Sequence, residues 1–149
     1  MQPILQFRAV GAFNAGVILR GLDSQKSELK RIAGMDSPTA VDKDTAVVIE
    51  VAAEMYLRGF SFLPVDLSHS DASQFQIVGQ QLLPPFNCIP ALGEQAALDI
   101  IQARNEAPFT SKEDLRKRGK VSQAVIDTMD SMGILRGLPD EEQLNLFAL

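Results

Sequence analysis

Glycine and proline divide this chain into short segments, and this limits its fold more than any other feature. The 149 residues include 10 glycines and 8 prolines, which interrupt helices and strands. No window approaches the roughly 18 uninterrupted apolar residues that a membrane span needs, so the sequence predicts no membrane partner. A chain of this length makes one ordinary domain or two very small ones. We therefore expect a small fold assembled from short elements.

Capping residues and apolar spacing predict that most of these segments are helices. The first helix is opened by Asp23 or Ser24 and ends at Gly34, and residues 35–44 are expected to form a loop. From Thr45 the apolar residues recur at helical spacing until Gly59. Three shorter helices are predicted further on: over Glu94–Arg104, after Thr110 or Ser111, and between Ser122 and Gly133.

Two apolar segments in the middle of the chain are expected to be extended. Phe60–Leu67 contains Pro64, which keeps it off a central strand. Phe75–Val78 ends at Gly79, and the two segments together could make a small hairpin. The resulting division of the chain is an N-terminal helix and acidic loop (1–44), a helix with extended segments (45–80), a helical region (81–135) and a flexible tail (136–149).

The reactive side chains do not form a catalytic pattern. One cysteine and one histidine cannot make an internal disulfide or the usual closed zinc site, so no metal or cofactor is predicted. Cys88 has no basic neighbour and is interpreted as a packed small hydrophobe. His69 lies in a loop with hydroxyls and acids and is interpreted as a surface residue, with a hydrolase or transferase base as the alternative. The sequence contains no glycine-rich phosphate loop and no nucleophile elbow.

The charge distribution favours at most a local contact with nucleic acid. The net charge is −5, whereas a free-standing nucleic-acid-binding domain is usually basic. Only residues 108–120 are strongly basic for their length, with five basic side chains against two acidic ones. This basic island is either a contact to phosphate or an ordinary solvated face. It consists of Lys112, Arg116, Lys117, Arg118 and Lys120.

The segment before the island resembles the second half of a helix-hairpin-helix element. Pro90 and Gly93 frame a tight turn, and Ala97, Ile100 and Arg104 follow at the usual spacing. Such a turn aims successive backbone N–H groups and a helix N-terminus at a phosphate. Ala91 stands where the element normally has its first glycine. The alternative is a helical hairpin that only packs the core. The predicted fold class is therefore mainly α, with short helices that include a helix-hairpin-helix, one small extended or hairpin segment and a disordered C-terminal tail.

The tail carries a second distinctive pattern, Gln143-Leu144-Asn145-Leu146-Phe147. Apolar side chains at an acidic terminus are typical of a linear peptide that docks in a groove. Because such a peptide becomes ordered only on binding, we expect micromolar affinity or weaker in isolation. The alternative is that Leu146 and Phe147 fold back onto the domain.

Five phrases follow one another between about Thr45 and Leu149: EMYLRGFSF (54–62), VDL with SDA (65–67, 70–72), PPFNCIP (84–90), FTSKEDLRKRG (109–119) and LPDEEQLNLF (138–147). Through these phrases the chain resembles the C-terminal end of the PolC-type DNA polymerase III alpha subunit, a large bacterial replicative polymerase. The helix around Ser24–Gly34 resembles the one that precedes this region, whereas residues 1–21 match nothing we can place.

The resemblance implies roles for particular residues. The turn would present backbone N–H groups to the phosphates of duplex DNA, and the tail would bind the sliding clamp. Gln143 would hydrogen-bond in the polar pocket of the clamp, and Leu144, Leu146 and Phe147 would fill its apolar cleft. The N–H donors at the turn would be Ala91, Leu92, Gly93 and Gln95.

The resemblance also limits what this chain can do alone. The parent enzyme is a DNA-directed DNA polymerase, a nucleotidyltransferase, but its catalytic aspartates lie far upstream and nothing here matches them. The leading interpretation is a non-catalytic, cytoplasmic polymerase segment that works in DNA replication, whose partners are duplex DNA, the sliding clamp and the remainder of the polymerase. The alternative is a free-standing clamp-binding adaptor or competitor without DNA binding, which the net charge and Ala91 favour.

Overall fold

A computed structural model describes residues 13–141, and this part of the chain is mainly helical. A small three-stranded sheet accompanies the helices, which confirms the predicted fold class. The helices are α1 (Ala15–Ile18), α2 (Leu22–Ala33), α3 (Ala40–Leu57), α4 (Glu94–Glu106), α5 (Lys112–Arg118) and α6 (Gln123–Ser131). The strands are β1 (Ser61–Phe62), β2 (Gln76–Val78) and β3 (Gln81–Leu83), and a 3₁₀ turn spans Phe86–Cys88.

Helix α3 begins earlier than the apolar spacing indicates. Thr39 is its N-cap: the Thr39 hydroxyl accepts a hydrogen bond from the N–H of Asp42 at 3.1 Å. The Asp42 carboxylate accepts from the N–H of Thr39 at 2.8 Å, which completes a capping box. The expected loop over 35–44 was therefore wrong beyond Thr39, because this box starts the helix before its apolar stripe begins. The division at residue 44 falls inside α3.

The sheet pairs its strands differently from the expected hairpin. Its order is β1-β3-β2, with β1 parallel and β2 antiparallel to β3. The two predicted extended segments do not pair with each other, since each pairs with β3. Strand β3 has three residues and is followed by Pro84 and Pro85, so it carries no alternating pattern that the sequence could reveal.

Two groups of buried apolar residues hold the described part together. The first, which we call the hairpin core, contains Leu92, Ala97, Ile100, Leu115 and Met129 among others from the 3₁₀ turn and α4–α6. The second lies among α1, α3 and the sheet. Cys88 belongs to the second group and is 7% exposed, which confirms its interpretation as a packed hydrophobe. Burial raises the pKa of its thiol to about 12.

Candidate nucleic-acid interface

The first hairpin turn connects the 3₁₀ turn to α4 through residues 89–93. Ala91 has φ of 65°, the left-handed conformation that glycine adopts most easily. The next residue, Leu92, is 2% exposed and anchors the turn in the hairpin core. The turn therefore keeps the backbone course of a helix-hairpin-helix with alanine in the glycine position.

This turn leaves the N-terminus of α4 open. Gly93 is the N-cap and offers no side chain to the first turn. Within residues 13–141 the N–H groups of Gly93, Glu94 and Gln95 donate no hydrogen bond. Unpartnered N–H groups and the helix dipole together favour an anion at this end. The N–H of Leu92 differs, because it already donates to the carbonyl of Ile89 at 3.1 Å.

A second turn of the same kind connects α5 to α6. We call the 3₁₀ turn with α4, and α5 with α6, the two hairpins. Lys120 has φ of 56°, Val121 is buried and Ser122 is the N-cap of α6. This order of left-handed residue, buried apolar residue and N-cap matches residues 91–93. The Ser122 hydroxyl caps the helix by accepting from the N–H of Val125 at 3.3 Å. The second helix N-terminus is therefore partly satisfied within the protein, unlike the first.

Sequence reasoning missed this second turn, although a signal for it is present. Buried residues occur five and eight positions after Leu92, at Ala97 and Ile100. The same spacing recurs after Val121, at Ile126 and Met129. The repeat is hard to recognise in the sequence because Lys120 and Ser122 occupy the positions where a glycine or small apolar residue would identify the motif.

Gly119 makes this second turn possible through close packing. A Cβ at this position would lie 2.6 Å from the carbonyl oxygen of Leu115. Such a contact is shorter than van der Waals packing tolerates, so the end of α5 requires glycine.

The structure divides the basic island into engaged and available side chains. The Lys112 ammonium lies 3.0 Å from Asp130 and 3.1 Å from Asp140, and hydrogen bonds to these two carboxylates raise its pKa. Lys117 pairs with Glu113 at 2.6 Å on the surface, an arrangement that is readily exchanged for another anion.

Arg118 is the most constrained member of the island. Its guanidinium donates to the carbonyls of Ala103 and Ala107 at 2.6 and 2.8 Å, and to the carboxylate of Asp114 at 2.9 Å. It also lies over the ring of Phe109, 5.1 Å from the centroid. Arg118 thus caps the C-terminus of α4 and attaches it to α5.

Arg116 and Lys120 are the available cations of the island. Both side chains are exposed, and neither forms an ion pair within the described part of the chain. Lys120 lies in the second turn itself and lines a cleft together with Asp99 and Glu106 of α4.

Arg104, one of the motif residues, stabilises the fold and is not part of the surface that the turn presents. Its guanidinium donates to the carbonyls of Ser70 and Leu67 at 2.7 and 3.2 Å. It also lies 5.6 Å from the centroid of the Phe86 ring. These contacts attach the loop after β1 to the hairpin core.

The predicted clamp-binding residues Gln143, Leu144, Leu146 and Phe147 lie outside the described residues. The His69 side chain is 76% exposed, with Nδ1 3.3 Å from the Asp66 carboxylate.

Residues 13–141 bring together no group of three or more His, Cys, Asp or Glu that could hold a metal. In the same range no helix has the length and apolarity needed to cross a bilayer.

Comparison with known proteins places this geometry in context. A family described as "Helix-hairpin-helix motif" matches residues 59–144. Proteins named "DNA polymerase III PolC-type" are similar over 91% of this chain: 48% identical in Thermotoga maritima, 45% in Listeria monocytogenes and 44% in Bacillus subtilis. The matched region is 9–10% of each relative, so the chain spans about a tenth of their length. The similarity to a region of PolC-type polymerases, expected from the sequence, is confirmed.

Proposed function

Because the chain belongs to the helix-hairpin-helix family, we propose that it is a non-catalytic segment of a PolC-type replicative polymerase that contacts the backbone of duplex DNA. Its C-terminal tail would bind the sliding clamp, and it would act in the cytoplasm together with the remainder of the polymerase. The chemistry of nucleotide addition would belong to that remainder.

The open N-terminus of α4 is the observation that carries the DNA proposal. The N–H groups of Gly93, Glu94 and Gln95 meet no acceptor within residues 13–141, and no side chain caps the helix. A DNA phosphate supplies both the acceptor and the negative charge that this end favours. Contacts of this kind read the backbone and carry no sequence specificity.

The available cations supplement these N–H groups. Arg116 and Lys120 are exposed without an ion-pair partner among the described residues, and Lys117 can exchange Glu113 for a phosphate. With so few charges involved, the affinity for DNA should be low and should fall with salt with a slope set by only a few phosphates.

The tail supplies the second proposed contact. Gln143, Leu144, Leu146 and Phe147 lie in the terminal phrase through which the chain resembles PolC-type polymerases, and that resemblance implies a clamp-binding role. Two weak contacts on one molecule raise the effective concentration of each partner for the other. Processive synthesis would gain from this combination without any strong single interaction.

A clamp-binding adaptor without DNA binding is the second candidate, and particular observations favour it. Lys112 and Arg118 are occupied by protein partners, the net charge is −5, and Glu94 places a carboxylate in the first turn of α4. Under this alternative the hairpins serve only as a scaffold for the tail.

The variant Gly93→Asp tests the DNA proposal at the open N-terminus of α4, the observation on which the proposal rests. Gly93 has φ of −78°, and a Cβ there would meet nothing within 4 Å, so the fold should tolerate the change. The new carboxylate would cap α4 and bring negative charge to the proposed phosphate site. We expect affinity for a short primed duplex, measured by fluorescence anisotropy at low salt, to fall by roughly tenfold.

The matched control is Val47→Asp, which adds the same charge at a position of α3 that is 58% exposed. It should leave the affinity within roughly twofold, because exposed charges away from the contact are screened. If both variants lost DNA affinity equally, the added negative charge alone would explain the loss. An unchanged affinity in Gly93→Asp, or no DNA binding by the unmodified chain, would favour the adaptor.

A further inference from the structure

The segment Leu138–Glu141, which we call the tail root, is attached to the start of α5. The N–H of Lys112 donates to the carbonyl of Pro139 at 2.9 Å, and the N–H of Glu113 donates to that of Asp140 at 3.1 Å. These are the first two N–H groups of α5, which have no partner inside the helix. The tail root therefore completes the N-terminus of α5, beside the cap from Ser111.

The Lys112 side chain strengthens the same attachment. Its ammonium bridges Asp130, at the end of α6, and Asp140, in the tail root, at 3.0 and 3.1 Å. Only 21% of this side chain is exposed, against 88% for that of Asp140. One cation thus connects α5, α6 and the outgoing chain.

We propose that Lys112 is a positioning residue that fixes where the C-terminal tail leaves the two hairpins, rather than a ligand of DNA phosphate. The proposal rests on the proposed function, because it concerns how the tail and the hairpin turns are held relative to each other. With the attachment intact, three residue steps lead from Asp140 to Gln143, a reach of at most roughly 10 Å.

Loss of the attachment would move the last fixed point back along the chain. The next held residue is Leu138, which packs against the hairpin core and whose N–H donates to the carbonyl of Leu135 at 3.1 Å. Five residue steps lead from it to Gln143, a reach of up to roughly 17 Å. Effective concentration falls approximately as the −3/2 power of linker length, so the coupling of clamp and DNA binding would weaken by roughly twofold.

The first test uses the free protein and no partner. In Lys112→Met the steady-state ¹H–¹⁵N NOE of Asp140 and Glu141 should fall, because the charge that holds the tail root is gone. Asp140→Asn should give the same loss from the other side of the ion pair, and Lys112→Arg should restore the value. Lys117→Met removes a charge from the same helix away from the tail root, and it should leave this NOE unchanged. An unchanged NOE in both Lys112→Met and Asp140→Asn would overturn the proposal.

The second test measures binding. We expect Lys112→Met to weaken binding to a preformed complex of clamp and primed duplex by roughly twofold, with unchanged affinities for each partner alone. The salt dependence of DNA binding should keep its slope. A slope reduced by roughly one unit would identify Lys112 as a phosphate ligand and overturn the proposal.

Failure of this inference differs from failure of the proposed function. If the unmodified chain bound neither partner, the proposed function would fall, and the NOE would still decide whether Lys112 holds the tail root. If the NOE were insensitive to the variants while both partners bound, only the positioning role would fall.

Discussion

Ala91 holds a left-handed backbone conformation that costs an alanine about 1 kcal/mol or more. Replacing it by glycine removes this cost, while the greater freedom of glycine in the unfolded chain returns part of it. We expect Ala91→Gly to stabilise the protein by roughly 0.5 kcal/mol, measured as the free energy of unfolding in urea.

The control for this substitution is Ala96→Gly, five residues further on within α4. The backbone there is ordinary helix, so glycine should destabilise the protein by roughly 1 kcal/mol. If both substitutions were destabilising to the same extent, the left-handed turn at Ala91 would be refuted.

Single residues were predictable from the sequence where local chemistry decides their role. Ser111 and Ser122 cap the helices expected to follow them, and Cys88 is buried. The partners of Lys112 and Arg118 were not predictable, because Asp130 and Ala103 are distant in sequence and become neighbours only through the fold.

Helix α4 depends on α5 for the satisfaction of its last carbonyls. Arg118 donates to Ala103 and Ala107, and its side chain is 27% exposed. Arg118→Met keeps a long apolar side chain but leaves these carbonyls without a charged donor. We expect a loss of roughly 1–2 kcal/mol in the free energy of unfolding, together with faster amide exchange in the last turn of α4.

The neighbouring variant Lys117→Met separates this effect from the loss of a charge. The Lys117 side chain is 64% exposed and pairs with Glu113 on the surface, so its removal should change stability by less than roughly 0.5 kcal/mol. Equal losses for the two variants would argue against the capping role of Arg118.

Elements were predictable to the extent that their signals are local. Helix α6 follows from its cap and apolar spacing, and the same features located α4 and α5. The capping box of α3 was overlooked because Pro38 and the nearby acids suggest a loop. Strand β3 forms by pairing with β1 and β2, and a three-residue segment is too short to carry a sequence pattern that predicts such pairing.

At the scale of the whole molecule, the two hairpins form one unit that positions both proposed contacts. The hairpin core contains Leu92 and Val121, the residues that follow the two left-handed positions. Burial of both fixes the turns relative to each other, although a net charge of −5 opposes strong attraction to DNA. The proposed weak contact with the DNA backbone would therefore gain from a second, independent contact.

The tail is proposed to supply that contact, and Phe147→Ala tests the proposal. Phe147 is the largest apolar side chain of the segment Gln143–Phe147, so its removal should lower the affinity for a bacterial sliding clamp by at least roughly tenfold. DNA affinity and the circular dichroism spectrum should stay as they are, because the tail is expected to lie outside the core. Leu149→Ala removes an apolar side chain beyond the segment and should bind the clamp normally. Full clamp affinity in Phe147→Ala would reject the tail as the tether, and a simultaneous loss of fold would instead indicate that Phe147 packs onto the domain.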